Sequence, residues 1–423
     1  MSDTMSEPRH YLDGRVTLHP GDCREMIKRI PSGTIDSVVT DPPYALVSIG
    51  KRFGKEGAAP SKPGKTGAYA RASAGFMGKS WDTGETAFAE GFWREVFRVL
   101  KPGGHVAAFG GTRTYHRLAC AIEDAGFEIR DQLAWTYGTG FPKSHDIAKA
   151  IDKRGGHHRG KRGMPVPFQS SAKGQEFERN DKGEPVLDEA RRWKGWGSAL
   201  RPAWEPVALA RKPLEGTLVD NVLKFGTGAL NIDGCWIGGE DGEVYTGEKR
   251  PGNWPANIVH DGSAEVLDAF PADGLGSRAR FFYSSKADDF DRIGSKHPTV
   301  KPVDLMQWLT RMVTPPGGTV LDPFSGTGST GEAAWREGFA AVLIEREAEY
   351  QADIARRMAL AIAGPAERKG ESIKARGRLD VDAGPLFGGN SDSAGGGGGR
   401  STGPSHATVD RPDRAQAMSE AAE

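Results

Sequence analysis

The sequence contains little cysteine and no long apolar segment. Its 423 residues include three cysteines, Cys23, Cys120 and Cys235, whose odd number and spacing exclude a disulfide framework and fit no zinc site. We therefore expect no bound metal and a reducing compartment. No run approaches the ~20 apolar residues of a membrane helix, and residues 1–15 have no apolar core typical of a signal peptide. These absences predict a cytoplasmic protein that makes no membrane contact.

The chain also has no excess of charge of either sign. Fifty-six lysines and arginines balance 56 acidic residues, so the formal net charge is +0. A local basic surface attracts phosphate whatever the total charge. Two segments concentrate basic side chains, residues 48–80 and residues 157–162. In the first, seven basic residues face only Glu56, and we expect a flexible loop that becomes ordered on a phosphate backbone.

Apolar periodicity predicts an α/β protein that is interrupted once. Strand and helix patterns alternate through residues 15–140 and again through residues 286–363, ending with a helix over residues 348–361. Between them, residues 141–285 break this rhythm and are predicted to form an insertion. Residues 364–423 are rich in glycine, serine, aspartate and arginine. They cannot bury enough apolar surface and are predicted to form a disordered tail.

The predicted insertion combines tryptophans with basic side chains. Trp193, Trp196 and Trp204 are interspersed with four basic residues: Arg191, Arg192, Lys194 and Arg201. Taken singly, each tryptophan is expected to fill a small core within the insertion. Taken as a group, the basic residues here and in the cluster of His157, His158, Arg159, Lys161 and Arg162 are expected to contact a nucleic acid.

A glycine-containing loop follows a predicted strand near the C-terminal end of the chain. Residues 319–321 indicate a strand, and residues 322–328, with the sequence DPFSGTG, lead from it into a helix. Ligands of α/β sheets bind at this carboxyl edge, and Gly326 and Gly328 allow the backbone to approach a ligand closely. A dinucleotide fingerprint is poorly matched, and the lysine of a phosphate loop is absent. Because Glu345, at the next strand end, can accept both ribose hydroxyls, we predict a nucleoside cofactor.

A second loop, near the N-terminus, also follows an apolar strand. Val38 and Val39 precede Asp41-Pro42-Pro43-Tyr44, in which two prolines stiffen the backbone. The Asp41 carboxylate and the Pro42 carbonyl can accept the two N–H bonds of an exocyclic amine and direct its lone pair toward a sulfonium methyl. Tyr44 can stack on a base that has left its helix.

The two loops, in this order, resemble those of a known enzyme family. The chain is similar to the β-class (permuted) S-adenosyl-L-methionine-dependent DNA amino-methyltransferases in residues 41–44, 324–328 and 297–302, the last with the sequence HPTVKP. Residues 76–82 and 138–144 also resemble phage and prophage members. The resemblance covers residues 15 to about 363. It implies a Rossmann-like, circularly permuted sheet of seven strands, one of them antiparallel, with an inserted target-recognition region.

The resemblance also implies roles for individual residues. Four residues of the glycine loop would line the cofactor: Asp322, Phe324, Gly326 and Gly328. Glu345 would bind its ribose, Asp22 its adenine, and Lys301 with the turn of Pro298 and Thr299 would close over its methionine end. The first loop would carry the target base, and its aspartate would also face the cofactor methyl: Asp41, Pro42, Pro43 and Tyr44.

The substrate is predicted by comparing alternatives within and beyond this family. Adenine N6 is favoured over cytosine N4, because relatives that act on cytosine more often have serine in the position of Asp41. Methylation of cytosine carbon 5 usually needs a cysteine after proline, whereas the cysteines here follow Asp22, Ala119 and Gly234. RNA or protein-amide methylation is less favoured, as is a non-catalytic DNA-binding module, which would have lost the cofactor residues. Double-stranded DNA is the expected partner, and a homodimer and a restriction endonuclease partner are left open.

Overall fold

In a computed structural model of the protein, the described residues are 7–44, 84–138, 144–159, 179–180, 184–237, 242–243, 249–250, 254–270, 272–273, 276–277, 282–284, 286–363, 367–368 and 370. All of them belong to one compact unit, Met1–Leu379. The predicted basic loop over residues 48–80 lies outside the described residues, as do residues 76–82, Lys161, Arg162 and residues 371–423.

A ten-stranded mixed sheet organises the described part of the chain. Its strands are β1 (Arg9–Tyr11), β2 (Val16–Pro20), β3 (Ile35–Thr40), β4 (Leu100–Phe109), β5 (Glu128–Thr136), β6 (Trp204–Arg211), β7 (Ile258–His260), β8 (Phe282–Tyr283), β9 (Thr319–Asp322) and β10 (Ala340–Glu345). Their order across the sheet is β1-β2-β10-β9-β3-β4-β6-β5-β7-β8. Strands β1 and β6 run antiparallel to their neighbours, and the other neighbouring pairs are parallel.

Helices accompany the strands. They are α1 (Cys23–Met26), α2 (Glu90–Val99), α3 (Tyr115–Asp124), α4 (Ile147–Arg154), α5 (Asp188–Arg192), α6 (Leu218–Phe225), α7 (Ala264–Leu267), α8 (Asp289–Arg292), α9 (Val303–Val313), α10 (Ser329–Arg336) and α11 (Ala348–Ala361). Two apolar clusters form the core, one with α9 and α10 and one with α2 and α3. Successive strand residues point to opposite faces, so Val39 belongs to the first cluster and Val38 to the second. The sheet is therefore covered by helices on both faces.

The predicted α/β, Rossmann-like fold class is confirmed. Seven adjacent strands, from β2 to β5 in the sheet order, contain one antiparallel member, β6. The edge strands β1, β7 and β8 extend this set beyond the seven predicted strands. Strands β9 and β10 come last in the chain yet lie between β2 and β3, which brings the two ends of the methyltransferase-like sequence together at the centre of the sheet.

Three strands of the main sheet lie within the predicted insertion. Strands β6, β7 and β8 fall within residues 141–285, but all three are paired into the main sheet. Five consecutive residues of β6, from Pro206 to Ala210, are buried. The strand escaped prediction because it is reached through a long irregular connection instead of the regular strand–helix alternation.

The tryptophans of this region are exposed, contrary to the expectation that each fills a core. The exposed fractions are 44% for Trp193, 61% for Trp196 and 37% for Trp204. The rings of Trp193 and Trp196 pack edge to face, with centroids 5.2 Å apart. These aromatic surfaces are therefore available to a partner.

Arg368, within the predicted tail, contacts the compact unit. Arg368 lies beyond residue 364, yet its side chain is largely buried and forms an ion pair with the fully buried Glu332 of α10. Ordered structure therefore continues at least to this residue, because a buried carboxylate attracts a cation from the adjoining chain.

Candidate active site

One cleft contains both loops that were singled out in the sequence. Its lining includes residues that follow four neighbouring parallel strands: residues 21–23 after β2, 41–44 after β3, 322–327 at and after β9, and 345–347 at and after β10. Strands β3 and β9 are adjacent, with Leu321 paired with Val38. Parallel neighbours end at the same edge of the sheet. The Asp41 loop and the Gly326 loop are consequently brought together. Thr40, just before the first loop, donates a hydrogen bond to Asp322, which lies 282 residues further along the chain.

Asp322 stabilises the glycine loop through hydrogen bonds. Its Oδ1 accepts hydrogen bonds from Thr40 Oγ1 at 2.6 Å and from the backbone N–H of Phe324 at 3.1 Å, and its Oδ2 accepts from Thr330 Oγ1 at 2.5 Å. Burial raises the pKa of Asp322 to about 6. Asp322 lines the cleft as predicted, but its carboxylate is engaged by the protein, so its main contacts shape the loop.

The two glycines of the loop have different surroundings. Gly326 lines the cleft with φ +50°, and an added Cβ would lie 3.2 Å from His297 Nε2. Gly328 has φ +80° and does not line the cleft, because it packs against α11, where an added Cβ would lie 3.1 Å from Ile354 Cγ1. Gly326 thus allows close approach of a ligand, whereas Gly328 allows close packing of the loop on a helix.

Glu345 connects the end of β10 with the glycine loop. Its Oε2 accepts a hydrogen bond from the N–H of Gly326 at 2.9 Å, and its Oε1 accepts one from the N–H of Glu347 at 2.8 Å. Burial raises the pKa of Glu345 to about 7. Each carboxylate oxygen has a second lone pair, so both can still accept a hydroxyl from a ligand in the cleft.

Asp22 lies at the mouth of the cleft and caps α1. Its Oδ1 accepts the backbone N–H of Arg24 at 2.9 Å, and its Oδ2 pairs with the Arg24 guanidinium at 2.7 Å. The hydrogen bond from this guanidinium is the main reason that the pKa of Asp22 lies below its usual value. Asp22 is therefore a carboxylate that stays ionised beside the cleft.

The HPTVKP segment contributes unequally. Thr299 and Lys301 line the cleft, whereas Pro298 does not. His297, which has no predicted role, also lines the cleft. Its Nδ1 accepts a hydrogen bond from the N–H of Thr299 at 3.2 Å, and its ring packs edge-to-face against Tyr350. The turn is therefore arranged by a histidine and an aromatic ring.

The two carboxylate oxygens of Asp41 have different environments. Lys301 Nζ donates to Oδ2 at 2.6 Å, whereas Oδ1 is buried and has no hydrogen-bond partner. Burial raises the pKa of Asp41, and the nearby Lys301 ammonium opposes this shift without cancelling it. An unpartnered buried acceptor is costly, so it indicates a position where a ligand donor completes the site.

Lys301 lines the cleft beside the Asp41 loop, and its role at the methionine end of a cofactor stays a prediction. Its ammonium donates to Asp41, donates to the Tyr44 hydroxyl at 3.1 Å and lies 3.2 Å from Glu205 Oε2. Its nearest partners therefore belong to the Asp41 loop and to β6.

Glu205 was not identified from the sequence. The Tyr44 hydroxyl donates to its Oε2 at 2.8 Å, and the Tyr137 hydroxyl lies 3.4 Å from its Oε1. The predicted site residues follow the ends of strands, whereas Glu205 is near the start of β6. Since β6 is antiparallel, its start lies at the edge where the parallel strands end. An acid directly before the apolar run 206–210 was the available signal.

Comparison with known proteins identifies the family. A model described as a DNA methylase, of the N6/N4 type, matches residues 35–356. The chain belongs to the N6/N4 DNA methylase family. Type II methyltransferase M.HindIII of Haemophilus influenzae is 26% identical over 320 residues, which cover 72% of this chain and 82% of that protein. M.HinfI of the same species is 25% identical over 143 residues, 31% of this chain and 36% of that protein.

Solved structures are also similar to this DNA methylase. The cytosine-N4-specific PvuII DNA methyltransferase has a TM-score of 0.42 and 15% identity, covering 85% of this chain and 92% of its own. An M1.HpyAVI–SAM complex has a TM-score of 0.36 and 16% identity, covering 81% and 99%.

The described residues of this DNA methylase include no group of three or more His, Cys, Asp or Glu side chains arranged to hold a metal ion. None of their helices has the length and apolar character needed to cross a membrane.

Proposed function

We propose that the protein is a site-specific DNA methyltransferase of the permuted β class that transfers a methyl group from S-adenosyl-L-methionine to adenine N6 in double-stranded DNA. The observation that carries this proposal is the cleft in which the unpartnered Asp41 Oδ1 and the Gly326 loop meet. The Asp41 carboxylate can accept a hydrogen bond from a substrate amine, and the Gly326 loop of the same cleft can admit a nucleoside.

The residues of the cleft fit S-adenosyl-L-methionine. Glu345 offers two carboxylate oxygens to the ribose hydroxyls, and Asp22 and Phe324 line the same cleft. Gly326 lets the backbone approach the ligand, and Thr299 also lines the cleft. When bound, the cofactor supplies an electrophilic methyl group on a sulfonium.

The Asp41 loop supplies the activation of the target amine. Asp41 Oδ1 accepts one N–H and the Pro42 carbonyl accepts the other, so that the amine lone pair is aimed at the methyl group. The Tyr44 backbone carbonyl accepts from Thr114 Oγ1 at 2.8 Å, which holds the loop in place. Tyr44 stacks on the flipped-out base. The transfer is direct, because an amine held in this way needs no covalent link to the enzyme.

Several finer assignments belong to the same proposal. The order of the two loops in the chain supports the permuted β class, and residues 76–82 and 138–144 support a phage-like or prophage-like origin. The basic segments contact DNA, residues between β5 and β8 that lie outside the main sheet recognise the target sequence, and the enzyme acts in the cytoplasm beside the nucleoid. A homodimer and a restriction endonuclease partner are proposed with it, the latter because M.HindIII is named a type II methyltransferase.

Methyl incorporation tests this function directly. The full chain is incubated with double-stranded DNA and S-adenosyl-L-methionine labelled in the methyl group, and the DNA is digested to nucleosides. We expect label in N6-methyladenine, and long-read sequencing of DNA from expressing cells then identifies the recognition sequence. Label only in N4-methylcytosine would replace adenine with cytosine, since both amines have the same geometry. Label in RNA but not in DNA would overturn the proposal.

A further inference from the structure

We propose that Glu205 is a positioning residue for methyl transfer, which holds Tyr44 and shares Lys301 with Asp41, so that the Lys301 ammonium does not fully neutralise the Asp41 carboxylate. This inference rests on the proposed function, because it concerns how the amine acceptor is prepared. Glu205 need not touch the substrate in order to act in this way.

The position of Glu205 follows from the direction of β6. Glu205 pairs with Trp135 near the end of β5, so the first residues of β6 reach the carboxyl edge of the parallel strands. Its side chain is only 20% exposed, comparable with 17% for Asp41 and more than 8% for Lys301. A carboxylate at this depth is retained in a folded protein when it is paired.

Glu205 and Thr114 hold Tyr44 at two points. Glu205 Oε2 accepts the phenolic proton at 2.8 Å, and the Tyr44 carbonyl accepts from Thr114 Oγ1 at 2.8 Å. The same hydroxyl accepts from Lys301 at 3.1 Å. A tyrosine whose hydroxyl both donates and accepts has a restricted ring, which favours a fixed stacking surface for a base.

The charges of the cluster do not cancel. Two carboxylates, Asp41 and Glu205, share one ammonium, that of Lys301. Lys286 adds a more distant cation, which lies over the Tyr137 ring and also interacts with Asp261. If Lys301 paired with Asp41 alone, it would neutralise the Asp41 carboxylate. That carboxylate accepts a hydrogen bond from the amine and stabilises positive charge on the amine nitrogen.

The pKa shifts of Asp41 and Glu205 are consistent with their sharing Lys301. Burial raises the pKa of Glu205, but Lys301 and the Tyr44 hydroxyl outweigh burial and hold this pKa below its usual value. Asp41 keeps a raised pKa through burial, and it is further raised by the Glu205 charge. Around them, Asp322 is a third buried acid near Asp41, and Tyr44 has a pKa raised by burial, so it remains neutral. As the pH falls from neutral, Asp41 is therefore the first carboxylate of this pair to be protonated.

The substitution Glu205→Gln tests the inference by removing the charge and keeping the size. We expect kcat to fall by ~10- to 100-fold, because the acceptor geometry and charge are both disturbed. The dissociation constant of S-adenosyl-L-methionine should change by less than about twofold, since the cofactor residues are elsewhere in the cleft. The acid limb of the kcat–pH profile should move to lower pH, because Asp41 then has Lys301 to itself.

Glu128→Gln is the matched control. Like Glu205, Glu128 is paired with a cation: it accepts from Arg211 Nη2 at 2.6 Å. This pair lies at the opposite end of β6. The same chemical change there should leave kcat and the acid limb unchanged. A fall in kcat for both variants would assign the effect to the stability of β6 and overturn the inference.

A second variant keeps the test decisive if Glu205→Gln does not fold. Glu205→Asp retains the charge but withdraws it by one methylene, so it should lower kcat while leaving the acid limb in place. If Glu205→Gln leaves both kcat and the acid limb unchanged, or if it lowers kcat with an unmoved acid limb, the charge-sharing role is wrong. A wild-type protein that transfers no methyl group to DNA would instead overturn the proposed function.

Discussion

At the scale of single residues, the site depends on carboxylates whose partners differ from oxygen to oxygen. Asp41 has one oxygen on Lys301 and one without a partner, whereas both oxygens of Asp322 and of Glu345 are bound by the protein. The three acids were predicted together as site residues. Their surroundings now separate an acceptor left for a substrate from acids that shape the cofactor loop.

Replacing Asp41 with alanine should abolish methyl transfer. The loss of the acceptor and its charge is expected to lower kcat by at least ~100-fold, as for other preorganised groups that act on developing charge. Binding of S-adenosyl-L-methionine, measured by calorimetry, should remain within a few-fold of wild type. Asp188→Ala, at a highly exposed side chain on α5, is the control. Near wild-type turnover of Asp41→Ala would show that the role given to this carboxylate is wrong.

Cofactor affinity should depend on pH through Glu345. The pKa of Glu345 is raised by burial to about 7, and ribose hydroxyls donate better to the ionised form. Affinity for S-adenosyl-L-methionine should therefore be weaker at pH 6 than at pH 8, by up to about tenfold, following the ionised fraction of the carboxyl group. Calorimetric titrations at the two pH values measure this difference, and Glu345→Gln should remove it.

The same raised pKa has the opposite effect on the stability of the ligand-free fold. Between pH 4.5, the ordinary pKa of a glutamate, and about pH 7, the folded protein holds a proton on Glu345 that the unfolded chain has released. The contribution of Glu345 to stability is therefore lost as the pH rises through this window.

If cofactor affinity does not change between pH 6 and pH 8, Glu345 does not bind the ribose as a carboxylate.

At the scale of elements, helix α11 supports the cofactor loop through a buried arginine. Arg357 has no exposed surface, donates from Nε to the Thr327 carbonyl at 2.7 Å and pairs with Glu332 at 2.9 Å. Arg336 and Arg368 surround the same glutamate. Burial raises the pKa of Glu332, but these cations outweigh burial and lower its pKa to about 2, so the carboxylate stays ionised. The loop is thus tied to a helix formed near the end of the compact unit.

Replacing Arg357 with methionine should destabilise the protein and loosen this loop. Breaking a buried ion pair from one side costs up to about 3–5 kcal/mol. Here Glu332 keeps Arg336 and Arg368, but it loses its fully buried partner, and the Thr327 carbonyl loses its donor. Urea unfolding measures the change, and cofactor affinity should fall with it. Lys224→Met is the control, because Lys224 pairs with Glu215 in an exposed site and should cost less than about 1 kcal/mol. Equal effects of the two changes would contradict the support given to the loop.

At the scale of the whole molecule, DNA binding must come from the distribution of charge, because the net charge is zero. The exposed Trp193 and Trp196 lie among basic residues of α5 and the turn after it. Except for His157, the basic cluster of residues 157–162 lies outside the described side chains, and its contact with DNA stays a prediction from sequence.

Neutralising Arg159, Lys161 and Arg162 together should weaken DNA binding and reduce its salt dependence. If all three contact phosphates, the slope of log K against log[salt] should become shallower by ~2–3, since each phosphate contact contributes about 0.9. Binding titrations at several salt concentrations measure the slope. A control variant neutralises three exposed lysines and arginines elsewhere: Lys28, Arg94 and Lys224. An unchanged slope in the first variant would exclude a phosphate role for that cluster.

Much of the fold was predictable because its elements have local signals. The predicted helix over residues 348–361 has the same bounds as α11. Strand β6 and the pairing of β7 and β8 were not predictable, because long-range pairing leaves no periodic trace in irregular connections.

The sequence by itself determined the two loops, the acids they carry and the strands that precede them, because each depends on neighbours within about ten residues. It also determined the family to which the chain is similar. Only the tertiary structure decided which side chains meet: Lys301 reaches Asp41 across 260 residues, and Tyr44 reaches Glu205 across 161. These contacts follow from the order of the strands and the reversed direction of β6, and both are properties of the assembled sheet.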